Sequence, residues 1–156
     1  MKWVLSGAMA CACLMATEAH AKDYANNLES LYKQSSSVVN DVGMVTHSYI
    51  QENAADSTGI DCLTEILDIA SGASSGIESV MTIADIQTSM VSPQDKKTVS
   101  RYLLIVQKQN KGALSLYRDR LNQLIGACGT RPIVVNEGQN VLSFIEQADQ
   151  IVGNAP

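Results

Sequence analysis

The sequence predicts an all-α protein: an antiparallel bundle of four helices with one disulfide, or of five helices if the second segment is split. Three observations support this. Apolar residues recur at steps of three and four over long stretches, aromatic residues make up only 4% of the chain, and two of the four cysteines lie beyond residue 21. Long aliphatic seams of this kind are typical of helices that pack against one another.

The first 21 residues are typical of a secretory signal peptide. Lys2 precedes an apolar run, and Ala19 and Ala21 supply the small residues that a signal-peptidase site requires. We expect cleavage after Ala21, a mature single domain of residues 22–156, and a periplasmic or secreted location. A retained anchor is the alternative, but the apolar run is too short to span a bilayer, and we expect no integral membrane segment in the mature chain.

The first mature helix is expected from about Asp23 to Asn53. Its apolar residues alternate at steps of four and three, with Ser35 in the one gap. The stretch "AADSTGID" then breaks the pattern and offers Asp56, Ser57 or Thr58 as the next N-cap. The seam residues are Tyr24, Leu28, Leu31, Val38, Val42, Val45 and Tyr49.

The second helix is expected from Ile60 to Met90 and is the most apolar of the set. We expect it to lie between neighbours, with an exposed patch for a partner as the alternative. Its tract "ASGASSG" (70–76) could split it, because a glycine inside a helix costs about 1 kcal/mol relative to alanine. We favour a continuous or kinked helix in which small residues let a neighbour approach, since the apolar spacing keeps its phase.

The third helix has the clearest start, with Ser92 as N-cap and Pro93 at the first helical position. Asn110 is the one polar residue in its seam, and Gly129 is expected as the C-terminal cap. The seam residues are Val99, Leu103, Val106, Ala113, Tyr117, Leu121, Leu124 and Cys128.

The last part of the chain is expected to begin with an extended piece, "IVV" (133–135). Asn136 and Gln139 could then form a capping box that opens a final helix ending near Gly153. The apolar residues of that helix are Val141, Leu142, Ile145, Ala148 and Val152.

The topology predicts a disulfide between Cys62 and Cys128. Antiparallel helices place the start of the second helix and the end of the third at the same end of the bundle. In an exported chain the two thiols should oxidise, and closing a loop of this length is worth about 4 kcal/mol. Two separate buried thiols are the alternative, and the absence of a CxxC motif argues against a redox-active pair.

Charge is distributed unevenly along the chain. Residues 22–91 carry a net charge of −8, whereas residues 93–128 carry seven basic and two acidic side chains, a net charge of +5. Five of these basic residues fall on one side of the third helix, roughly opposite its apolar seam. We call them the basic stripe: Lys97, Arg101, Lys108, Lys111 and Arg118.

Two interpretations of the basic stripe stay open. The favoured one is a solvated face beside an acidic neighbour within the bundle, and the functional one is an electrostatic docking face for an acidic protein. Nucleic acid is not expected as a partner, because the chain has a net charge of −5 and no aromatic pattern interleaves with the stripe.

The mature chain offers little catalytic chemistry. His47 is its one histidine, and no HExxH, CxxCH or phosphate-binding loop motif is present. Met44 and His47 lie three residues apart on a helix face and are weak candidate copper ligands without a third ligand nearby. We expect no enzyme activity, no cofactor and no dedicated metal site.

The sequence therefore favours an exported helical protein that acts by binding another protein, one that could be acidic. In broad composition it resembles envelope chaperones, secretion-pilus components and periplasmic immunity proteins, with no motif specific to any of them. An inhibitor or immunity-type binder, or a secretion-associated envelope protein, is the expected function. A homodimer is also considered, because long heptad seams pair readily. The alternative function is a bundle that holds a small ligand or a metal in its interior.

Overall fold

The computed structural model describes the backbone of residues 4–154 and the side chains of residues 20–154. Within that range the fold is all-α and consists of four helices joined by short turns, so that successive helices run antiparallel. The predicted class is confirmed, and the fifth helix does not form. The helices are α1 (Val4–Glu52), α2 (Ser57–Ser89), α3 (Pro93–Ala127) and α4 (Pro132–Gly153).

Helix α1 begins inside the expected signal peptide and continues without a break into the expected mature chain. Residues 1–3, and the side chains up to residue 19, lie outside the described part of the chain. Cleavage after Ala21 therefore stays a prediction.

Helix α2 is the central helix of the bundle. It packs against α1, α3 and α4, whereas α1 and α3 lie diagonally opposite each other. This position accounts for its apolar composition: Ile69 and Val80, which lie off its main seam, are buried as well. The expectation that this helix lies between neighbours is confirmed.

The small-residue tract 70–76 does not interrupt α2. On one side, the Ser74 hydroxyl lies 2.8 Å from the Ser35 hydroxyl of α1. On the other, a Cβ atom added to Gly72 would lie 2.5 Å from the Tyr117 hydroxyl of α3. The tract therefore lets two neighbouring helices approach α2 closely. Ser35, the polar residue in the apolar seam of α1, is accommodated by its contact with Ser74.

The starts of α2 and α3 follow local capping rules. The Asp56 carboxylate accepts a hydrogen bond from the Gly59 N–H, which makes it the N-cap of α2. The Ser92 hydroxyl accepts one from the Asp95 N–H, and Pro93 opens α3 as expected. Each cap satisfies a backbone donor that has no partner within the helix.

The predicted extended piece at 133–135 is wrong, since these residues form the first turn of α4. Pro132 has a backbone already suited to the first helical position, and this outweighs the strand preference of three β-branched residues. The N-cap is Arg131, so Asn136 and Gln139 lie inside the helix and do not open it with a capping box. The predicted end of this helix near Gly153 is confirmed.

The buried seam of α4 is longer than the sequence pattern suggested. Gly138 fills its one gap, where a Cβ atom would lie 2.7 Å from the Ile125 Cγ1 atom of α3. Phe144 is also buried beside the seam. The seam positions are Val134, Gly138, Val141, Ile145, Ala148 and Val152.

The two cysteines meet at one end of the bundle, as the topology predicts. Cys62 and Cys128 are buried at disulfide-bonding distance, with their Cα atoms 6.8 Å apart. Cys128 is itself the C-cap of α3, and its N–H donates to the Leu124 carbonyl. Gly129 was expected to cap the helix, but it does not adopt the left-handed conformation that this role uses.

The opposite end of α4 is tied to the bundle by a buried polar chain. The Gln107 amide donates to the Tyr24 hydroxyl at 2.6 Å, and that hydroxyl donates to the Val152 carbonyl at 3.2 Å. Burial raises the pKa of Tyr24, which keeps it a neutral donor. These two hydrogen bonds connect α1, α3 and α4 near the C-terminal end of α4.

Candidate protein-binding surface

Helix α3 exposes more large apolar side chains than any other helix in the described part of the chain. Tyr102 is 57% exposed, Leu104 59%, Ile105 54% and Leu116 71%. Single exposed apolar residues are ordinary on a protein surface, but a contiguous group indicates an interaction site.

Three of these side chains fall on a second heptad seam, separate from the buried one. At 100° per residue, Ile105 and Leu116 point within about 20° of each other, and Tyr102 lies on the same side. Alternating steps of three and four connect them through Gln109 and Gly112. We call this set the outer seam: Tyr102, Ile105, Gln109, Gly112 and Leu116.

Gly112 forms a notch in the outer seam. It lies in the middle of the 35-residue α3, and a Cβ atom added there would meet no other atom within 4 Å. An internal helix glycine costs about 1 kcal/mol relative to alanine. No neighbour within the described part of the chain requires the small residue at this position.

The basic stripe divides into two parts in the structure. The ammonium group of Lys111 lies 3.9 Å from the Asp149 carboxylate of α4, and Arg118 is half-buried beside Asp119. The other three members are exposed and form no ion pair among residues 20–154. We call them the basic trio: Lys97, Arg101 and Lys108.

The basic trio runs beside the outer seam. By helical geometry it lies between Leu104 on one side and Ile105 on the other. The acidic neighbour expected within the bundle is therefore present for Lys111, which pairs with Asp149, but not for the basic trio. We refer to the outer seam, Leu104 and the basic trio together as the α3 outer face.

A groove of about 570 Å³ lies between α2 and α3 at the Tyr102 end of the outer seam. Tyr102 and Gln109 belong to both the groove and the seam. Its walls combine apolar, hydroxyl and acidic side chains: Glu78, Ser79, Thr82, Ile83, Tyr102, Val106 and Gln109.

The disulfide end carries a second cluster of polar groups. The Arg131 guanidinium donates two hydrogen bonds to the Asp56 carboxylate, both at 2.6 Å, and the Tyr49 hydroxyl donates a third at 2.6 Å. These bonds, that from Arg131 foremost, hold the pKa of Asp56 well below its usual range. In turn, the hydrogen bond to Asp56 raises the pKa of Tyr49.

The polar cluster joins three helices. Asp56 caps α2, Tyr49 lies on α1, and Arg131 immediately precedes α4. A side chain at position 59 would force the cluster to shift, because a Cβ atom there would lie 2.5 Å from the Asp56 carboxylate and 2.6 Å from the Tyr49 hydroxyl. With its cations and anions matched inside the chain, this cluster supports the fold and has no unpaired charge to offer a partner.

A second groove, of about 690 Å³, lies beside this cluster between α1 and the start of α4. Its lining residues include Met44 and Ile133 and two members of the cluster, Tyr49 and Arg131. His47 does not line it and forms a 3.0 Å hydrogen bond with Gln51. Among the described residues, no group of three His, Cys, Asp or Glu side chains is placed to hold a metal ion.

Sequence reasoning identified the basic stripe but missed the outer seam. In the sequence, one apolar seam was assigned to the third helix, and a second one was not considered. The missed signal was the repeat 102, 105, 109, 112, 116, which has the same spacing as the buried seam and two large aliphatic residues. Arg131 was missed because its partner Asp56 lies 75 residues away.

Comparison of the chain with protein-family models, with curated proteins and with solved structures finds no match. In the part of the chain that the structure describes, no helix has both the length and the apolar character needed to cross a membrane.

Proposed function

We propose that this chain is an exported, periplasmic protein that binds an acidic partner protein through the α3 outer face. One observation carries the proposal: exposed apolar side chains and three unpaired cations lie side by side on one helix. The fold uses neither group, whereas a complementary protein surface would use both.

The two parts of the face have different roles in this proposal. Burying a Leu, Ile or aromatic side chain contributes about 1.5–3 kcal/mol, so the apolar residues supply most of the affinity. Charges around such a site mainly increase the association rate and exclude wrong partners. The basic trio therefore selects an acidic surface and orients it.

The partner in this proposal is a different protein. Two copies of the chain that met face to face through α3 would bring their basic trios close together, and like charges across an interface oppose binding. A homodimer would have to use another surface. An inhibitor, an immunity-type binder and a secretion-associated envelope protein all fit a non-catalytic role of this kind.

Charge reversal tests the proposal. Immobilised Lys97→Glu/Lys108→Glu protein should capture at least about tenfold less of the partner from envelope extracts than the wild type, since charged interface pairs contribute over 1 kcal/mol. The matched control is Asn26→Glu/Asn40→Glu/Asn140→Glu/Ser143→Glu, which lowers the net charge by the same four units at exposed sites on α1 and α4. Equal capture by all three proteins, unchanged by high salt, would contradict the proposal.

Export is tested separately. The protein purified from the periplasmic fraction should begin at Lys22, as N-terminal sequencing would show. A full-length chain retained in the cytoplasm would contradict the proposed location.

A second candidate function is small-ligand binding in the groove between α1 and α4, favoured by its volume of about 690 Å³ and its apolar lining residues Met44 and Ile133. Native mass spectrometry of the purified protein should then reveal a bound molecule. The molecule should disappear in Ile133→Trp, whose larger side chain would fill the groove. A mass equal to that of the polypeptide alone would contradict this candidate.

A further inference from the structure

We infer that the segment bound by the α3 outer face is an amphipathic helix with an acidic edge, packed so closely that it crosses α3 at Gly112. This inference rests on the proposed function and adds the kind of partner segment and its point of closest approach.

The spacing of the outer seam fits a helical partner. Tyr102, Ile105 and Leu116 span about 21 Å along α3 at 1.5 Å per residue. They follow the alternating steps of three and four that helices use to pack against helices. A partner helix of about four turns covers this length with anchors at its own i, i+3, i+4 and i+7 positions.

Glycines inside this bundle lie against side chains of neighbouring helices. In α2, Gly76 lies against Asn110, whose amide nitrogen would be 2.6 Å from an added Cβ atom. In α4, Gly138 lies against Ile125 at 2.7 Å by the same measure. Each of these glycines marks a place where a neighbouring helix comes close. Gly112 lies on the outside of the bundle, with nothing within 4 Å of an added Cβ atom. Unlike Gly126, it falls within the outer seam, so a helix lying in that seam would come closest to the α3 backbone there.

The charge of the basic trio favours an acidic partner segment. The basic trio lies along one edge of the outer seam, so a helix lying in the seam presents one of its own edges to three cations. Acidic residues on that edge pair with the trio, whereas basic ones are repelled. The partner is therefore an acidic amphipathic helix of another protein, since a second copy of α3 would bring the same cations.

An anionic membrane is the competing occupant, because a basic and apolar helix face also suits a lipid surface. Gly112 decides between the two. A bulky apolar side chain at position 112 would strengthen binding to a lipid surface, whereas a glycine adds nothing to it. A partner helix, in contrast, can approach the α3 backbone more closely at a glycine. The groove of about 570 Å³ beside Tyr102 adds a site for one large side chain of the partner helix.

Site-specific photo-crosslinking in cells of the source organism tests this inference. A benzophenone amino acid replaces Ile105, Leu116 or, as the control, Met44, an equally exposed residue on α1. The two α3 positions should give an adduct with one other protein, mapped by mass spectrometry to an acidic amphipathic helix, and the Met44 position should not.

Glycine substitutions then separate the inference from the function on which it rests. Gly112→Leu should lower the adduct yield at least about tenfold, because overpacking of a close contact costs that much or more. Gly126→Leu is the matched control, since Gly126 is also an exposed α3 glycine with nothing within 4 Å of an added Cβ atom. It should leave the yield unchanged. Circular dichroism should show both variants folded.

Each other outcome is decisive. The inference is overturned, and the proposed function still stands, if Gly112→Leu leaves the yield of protein adducts unchanged. The same holds if the adducts map to a segment other than an acidic helix. Adducts with lipid or with a second copy of this chain, or no adduct from either α3 position, overturn both.

Discussion

The disulfide end and the α3 outer face use the same side-chain types in opposite ways. At the disulfide end, Arg131 is matched to the Asp56 carboxylate by two 2.6 Å hydrogen bonds, and the nearby apolar residue Leu63 is buried. On the α3 outer face, Lys97 forms no ion pair with the described residues and Leu116 is 71% exposed.

The difference separates stability from function. Groups that are matched inside the chain stabilise the fold, and changing one leaves its partner unsatisfied. Groups that lack an internal match contribute little to folding and are available to another molecule. Substitutions at the disulfide end should therefore affect unfolding, and substitutions on the α3 outer face should affect binding.

Reduction of the disulfide should have the largest effect on unfolding. The bond between Cys62 and Cys128 closes a loop with a sequence separation of 66, and its loss should lower the free energy of unfolding by about 4 kcal/mol. Urea unfolding with and without reductant measures this. Cys62→Ala/Cys128→Ala protein should not respond to reductant. Identical urea midpoints for oxidised and reduced wild type would refute the prediction.

At the disulfide end, Gly59→Ala should be the next most damaging change. The new methyl group would overlap the Asp56 carboxylate and the Tyr49 hydroxyl, and overpacking of this kind costs about 1–3 kcal/mol. Gly126→Ala, placed in open space near the end of α3, should be neutral or slightly stabilising. If the two variants unfold at the same urea concentration, Gly59 is not required by the polar cluster.

Acid should weaken the disulfide end. Hydrogen bonds from Arg131 and Tyr49 lower the pKa of Asp56 in the folded state, so unfolding at low pH takes up a proton. The stabilisation is complete above the ordinary Asp pKa of about 3.9 and is lost as the pH falls below it. Arg131→Gln should flatten this part of the curve of unfolding free energy against pH. Parallel curves for the two proteins between pH 6 and pH 2.5 would count against the account.

The fold was predictable where its determinants are local or periodic. Ser92 and Pro93 start α3 by capping chemistry contained within four residues, and the seam around Ser35 keeps its phase through a single polar gap. The meeting of Cys62 with Cys128 followed from antiparallel order alone. Predicting these features requires only helical geometry and the number of helices.

The remaining features depend on contacts between distant residues. Residues 133–135 look like a strand until Pro132 and the packing of Val134 in the bundle are considered. The pairing of Asp56 with Arg131 joins two turns that no local pattern connects. Exposure of Ile105 and Leu116 follows from which face of α3 its neighbours cover, and the neighbours are set by the tertiary fold.

The most direct test of the central claim measures stability and binding on one variant, Ile105→Glu/Leu116→Glu. We expect its free energy of unfolding to stay within about 0.5 kcal/mol of the wild type, as for ordinary surface changes. Leu121→Ala, at a fully buried position of the same helix, should lose about 2–5 kcal/mol. The double variant should nevertheless lose its partner. A large loss of stability, or undiminished partner binding, would show that the α3 outer face is not the binding surface.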